Sequence, residues 1–108
     1  ETYRDPGSLS TTSLVVRSHE EFDNALRVDA LLRNEAPFRQ EFPVLDLRFS
    51  NTRNEVVAAR RFKPDEYLGG ELTGLRYIPA RTEVRLSLEI VDPGKDALGY
   101  SLTVAGRW

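Results

Sequence analysis

From Leu26 to Arg33 the chain alternates, with Leu26, Val28, Ala30 and Leu32 on one set of positions and Arg27, Asp29, Leu31 and Arg33 on the other. A period of two puts the two sets on opposite faces of an extended strand, so the segment predicts a strand with one face on a core and the other in water. The pattern recurs. Leu45, Leu47 and Phe49 alternate with Asp46, Arg48 and Ser50, and Val84, Leu86, Leu88 and Ile90 alternate with Arg85, Ser87 and Glu89. Leu98, Tyr100, Leu102 and Val104 make a last strand, while Ser13–Arg17 and Glu55–Phe62 are shorter β-rich stretches. No amphipathic run between them is long enough for the crossover helices that parallel strands require. The expected architecture is therefore all-β: an antiparallel two-sheet β-sandwich, immunoglobulin-like, of about six to seven strands. It lacks the cysteine pair of antibody domains, because the chain has no cysteine.

The segments between the strands carry turn chemistry. Asn34-Glu35-Ala36-Pro37 ends the first clear strand, and Pro43, with no amide hydrogen to give to a ladder, belongs at the start of the next one or on an edge. Ser50–Asn54 is short and polar, which predicts a hairpin joining its flanking strands. Ser18-His19-Glu20-Glu21 has the spacing of a capping box, with Ser18 and Glu21 exchanging bonds over a possible helical turn carrying Phe22. Lys63–Ala80 is the longest connection; Pro64 is placed to start a helical turn through Leu68, and Gly69-Gly70 to stop it. Pro93-Gly94 sets a turn in Asp92–Asp96, proline fixing one φ and glycine accepting a positive one. Residues 1–12 are polar and without period, which reads as a linker and leaves 13–108 as the sandwich.

The chain of 108 residues is long enough for one core and too short for two. A formal charge of −2 supplies no cationic field, so nucleic acid is not an expected partner. Arginine outnumbers lysine thirteen to two, and planar guanidinium groups suit carboxylates and phosphates. No run approaches the ~20 apolar residues of a membrane span, so this segment itself inserts in no bilayer. The chain begins at Glu1 and contains no methionine, which points to a piece of a longer polypeptide.

Reactive constellations are absent from the pattern. The one histidine, His19, sits among Ser18, Glu20 and Glu21 with no nucleophile in view and reads as a solvated side chain. Zinc has no set of imidazole or thiolate ligands, and Glu20, Glu21 and Asp23 lack the spacing and glycine of a calcium loop. Gly69-Gly70 has no frame for a nucleotide phosphate. The chain is thus read as non-enzymatic, without cofactor or metal.

One set of residues resembles a known family. Leu26, Val28, Leu32 and Asn34, then Phe42-Pro43 with Leu45 and Leu47, lead to Val57-Ala58, Arg60-Arg61-Phe62, Pro64, Glu66, Tyr67 and Leu68; Asp92-Pro93-Gly94, Ala97 and Gly99-Tyr100 complete the match. From about Leu26 to Val104 the chain is similar to the uncharacterised C-terminal domain of proteobacterial membrane proteins that carry an N-terminal zinc ribbon and a single transmembrane helix. The resemblance implies an immunoglobulin-like domain on the periplasmic side of the inner membrane, tethered by that helix, and it implies no activity.

Two binding functions follow as expectations. The first is an interaction or assembly module that takes a protein partner or a second copy, because sheet edges invite strand addition. The alternative is recognition of an anionic small molecule or cell-envelope polymer. Its candidate residues are Arg60 and Arg61, whose strand feeds the long connection, and Tyr67 within that connection. Adjacent strand residues point to opposite faces, so at most one of the two arginines shares a surface with a given ligand. A structural role competes at the same place: Phe62, Tyr67 and Leu68 can pin the connection to the sandwich.

Overall fold

In the computed structural model, which describes residues 6–105, eight strands run in chain order around one core. They are β1 (Leu9–Ser18), β2 (Ala25–Asn34), β3 (Gln40–Glu41), β4 (Leu45–Ser50), β5 (Val56–Phe62), β6 (Tyr77–Ile78), β7 (Thr82–Val91) and β8 (Gly99–Val104). One sheet has the order β1-β2-β7, the other β5-β4-β8, and every pairing is antiparallel. The six long strands are those the alternation predicts. The two-residue strands β3 and β6 pair with each other in a separate ribbon, and pieces that short carry no period to read.

The alternating sets go where the period sends them. Val28 and Leu32 on β2, Leu86 and Leu88 on β7, Leu45, Leu47 and Phe49 on β4 and Leu102 on β8 meet in one buried cluster between the sheets. Burying side chains of this size contributes ~1.5–3 kcal/mol each, which is what holds two layers with polar outer faces together. The outer face of the first sheet is a mosaic of charge: Arg17 pairs with Asp29 at 2.9 Å, and Arg27 with Glu20 at 2.6 Å.

Three local expectations change. β1 starts at Leu9, inside the stretch read as linker, because Leu9 is buried opposite Asn34 and Thr11 donates its hydroxyl to the Leu102 carbonyl on β8. The part of that stretch before residue 6 lies outside the described residues. Leu98 is exposed and precedes β8, and Tyr100 is exposed as well, so the last inward set begins at Leu102. The turn after β1 is capped by His19 rather than Ser18: its Nδ1 accepts the N–H groups of Glu21 at 3.0 Å and Phe22 at 3.3 Å. His19 is therefore buried, with Nε2 3.3 Å from Glu89, and not the solvated side chain that its polar neighbours suggest. An imidazole two residues before the amides reaches them as a serine cap would, and the pattern did not separate the two.

The sandwich has unequal sides. On one, β1 leans on β8 through the Thr11 bond. On the other, β5 and β7 are both sheet edges, and the long connection covers part of the gap. That connection begins with a helical turn, α1 (Pro64–Tyr67), started by Pro64 as expected. Glu66 accepts the Lys63 N–H at 2.9 Å, and Tyr67 and Leu68 are buried, the Tyr67 hydroxyl donating to the Pro43 carbonyl. Phe62, Tyr67 and Leu68 thus pin the connection down.

Candidate functional site

The three candidate residues of the long connection and its strand do not converge on one surface. Arg61 lies across from Asp46 on the outer face of β4, whereas Arg60 lies across from Leu47 and faces the inner side. Arg60 is already engaged: one of its nitrogens is 2.9 Å from the Glu66 carboxylate, and its guanidinium carbon is 4.3 Å above the Phe62 ring. The Lys63 N–H, and after it Arg60, hold the Glu66 carboxyl below the usual carboxylate range. Tyr67 is 3% exposed, its hydroxyl is taken by Pro43, and burial pushes its phenol well above the ordinary tyrosine value. A ligand on the surface reaches none of Tyr67, so the side chain serves the packing of the connection.

Where the connection stops covering the β5–β7 side, a cleft of about 310 Å3 opens. Leu47 and Phe49 of β4 and Ile90 of β7 are its buried lining, Ala58 and Ala59 of β5 form one wall, and Val91, Asp92 and Pro93 the other. β5 contributes small side chains there: Ala58 is the cross-strand partner of Phe49, and its methyl fills less of the sandwich mouth than a larger side chain would. At the rim Val91 is 75% exposed. Among the described residues the backbone of β5 pairs with β4 alone, so its other edge presents donors and acceptors that no described strand takes up, next to this apolar lining.

The chemistry the cleft offers is therefore an edge to add to and an apolar trough for side chains. Its charged members are Arg60, neutralised by Glu66, and Asp92, whose Oδ1 accepts the Gly94 N–H at 2.9 Å. Gly94 holds φ at 107°, the positive value its turn requires, and fixes the rim there. Among the described residues no three His, Cys, Asp or Glu side chains gather as a metal-binding group. No described helix is long and apolar enough to cross a membrane.

Of the residues lining the cleft, Arg60 is among the sequence candidates, offered there for an anion, and Val91, Pro93 and the alanine pair are not. The signal was available only in part. An exposed valine at the end of a strand is visible as the outward member of the alternation, but which strand it faces depends on the strand order, and no local pattern encodes that.

Comparison with curated proteins and with solved structures finds no match. Residues 6–104 match the family model described as a protein of unknown function, DUF3426, so that nearly the whole described sandwich lies within it, and the chain belongs to that family.

Proposed function

We propose that this domain is a non-enzymatic interaction module of a membrane-anchored protein, and that it takes an extended segment of a protein partner along the open β5–β7 side. The observation that carries the reading is the cleft, in which an unpaired strand edge and an apolar trough lie side by side. Those are the two elements of strand addition: main-chain bonds supply affinity, and a pocket for alternate side chains supplies selection. The periplasmic position, the single transmembrane helix and the zinc ribbon of the parent protein are part of the proposal and rest on the resemblance of residues 26–104.

The test uses the membrane-anchored parent. A photo-crosslinking residue placed at Ala59 or Val91 is expected to capture a discrete protein, whereas the same residue at Ser101, on the exposed far strand, captures none. Equal labelling from all three positions, or from none, removes the cleft as the interface. Protease added to spheroplasts tests the side of the membrane: cleavage of the domain agrees with the periplasm, and protection places it in the cytoplasm.

A further inference from the structure

The β3–β6 ribbon carries a second cluster, away from the cleft. Tyr77 on β6 lies opposite Glu41 on β3. The guanidinium carbon of Arg39 is 4.1 Å from the centroid of the Tyr77 ring, and that of Arg76 is 5.7 Å from it. The two cations are therefore no farther apart than the sum of those distances. Arg17, Arg27, Arg33, Arg48 and Arg60 each have a carboxylate within ion-pair reach, but Arg39 and Arg76 have none among the described residues. Arg53, Arg61, Arg81 and Arg85 lack one too, and none of these four stacks on a ring beside a second cation. Glu41, the one acid of the ribbon strands, has a partner of its own.

Two like charges this near one ring repel, and an anion within reach of both offsets that cost. A guanidinium stacked on an aromatic face keeps its in-plane N–H donors free, arranged as a planar fork that matches two oxygens of a phosphate. The frame beneath is rigid. Phe42 donates its N–H to the Arg76 carbonyl at 3.0 Å, and Gln40, next to Arg39 and 2% exposed, donates to Asn34 Oδ1 and Ser8 Oγ. Arg39 and Arg76 thus sit immediately before β3 and β6 of a ribbon fixed on both strands, which lowers the entropy lost when they close on a ligand.

We propose that Arg39, Tyr77 and Arg76 form a binding site for a phosphate group, carried either by a soluble compound or by a phospholipid headgroup. The test titrates the 15N-labelled domain with inorganic phosphate at low salt, and in parallel floats it with phosphatidylglycerol or phosphatidylcholine vesicles. Saturable shifts confined to residues 39–41 and 76–78 are expected. Arg39→Gln and Arg76→Gln should each weaken the response about tenfold, the scale of one charge-assisted contact. Arg76→Lys should also weaken it, since a point charge replaces the fork, and so should Tyr77→Leu, which keeps both charges but removes the platform. Unchanged melting temperatures separate these losses from misfolding. A response to inorganic phosphate assigns a soluble ligand. Flotation with phosphatidylglycerol alone, abolished in the Arg39→Gln/Arg76→Gln double variant, assigns the headgroup. Shifts spread equally over Arg53 and Arg85, retention of affinity in the double variant, or binding to neither probe overturns the site.

Discussion

Removing the side chain of Asn34 should cost this domain more than removing most of its apolar residues. Asn34 is fully buried at the end of β2. Its Nδ2 lies 3.0 Å from the Phe38 carbonyl and 3.1 Å from the carbonyls of Ile78 and Pro79, and its Oδ1 accepts the Ala36 N–H and Gln40 Nε2 at 3.0 Å each. One amide thereby ties the end of β2 to both strands of the β3–β6 ribbon. Two amide hydrogens cannot satisfy three carbonyls fully, so two donated bonds are the fair count. Asn34→Ala leaves the buried Ala36 N–H and at least one carbonyl without a partner. At ~1–3 kcal/mol for each of these two groups, the loss comes to about 2–6 kcal/mol, a large share of the roughly 5–15 kcal/mol typical of a domain. Urea unfolding should show a lower midpoint at unchanged slope, and melting should fall by at least about 10 °C. Asn34→Asp offers a sharper control. It keeps the shape but turns carboxylate oxygens toward the carbonyls, so it should be as damaging at pH 7 and partly recover as acid protonates it. A cost below about 1 kcal/mol for Asn34→Ala, the range of a surface change, refutes the clamp.

Three further outcomes follow from side chains around the connection and the first turn. Tyr67→Phe removes the hydroxyl bond to Pro43 and should cost ~1–2 kcal/mol in urea unfolding. Because burial raises the folded-state pKa of Tyr67 above the unfolded value of about 10, its contribution is intact below that pH and is lost as pH climbs higher; a stability profile that stays flat above pH 10 would contradict the burial. For Glu66 the sign reverses: its folded pKa is lowered, so its contribution is present above the usual carboxylate pKa and fades as pH falls through the folded value, and Glu66→Gln should flatten that acid limb. His19→Ala strips the acceptor from two amides, and hydrogen exchange at Glu21 and Phe22 should accelerate while exchange at Val28 and Leu88 holds, an even acceleration everywhere being the refuting result.

The long strands were legible because burial in a sandwich is itself periodic. Val28, Leu32, Leu47 and Leu88 fall at alternate positions since each has one face on the opposite sheet, and that constraint is written into the chain at every second residue. Turns were legible where backbone geometry restricts residue choice, as at Gly94, whose φ of 107° a side chain rarely adopts. What failed to show was contact between residues distant in sequence. The Thr11 bond that makes Leu9 part of β1 reaches across to Leu102, and a polar segment without period hides it. The cleft joins Ala58 to Val91, and the cation pair joins Arg39 to Arg76; each member alone is an ordinary surface residue.

The same strand order bounds what the cleft can take. A long regular edge would recruit other chains without selection, and β5 is not one: its register against β4 shifts between Phe49 and Ser50, leaving Val57 as an extra residue in a bulge. Beyond the bulge only Ala58–Phe62 remain regular, and toward the end of that stretch Arg60 and Arg61 guard the edge with charge. The opposite edge is restricted as well, because α1 and β6 lie against β7 on the covered part of that side. A partner strand therefore has room for about three to five main-chain pairings, too few to hold a generic peptide in water. On the proposed strand addition, selection would come from the trough lined by Phe49, Ile90 and Val91, which would favour a partner with small apolar residues at alternate positions.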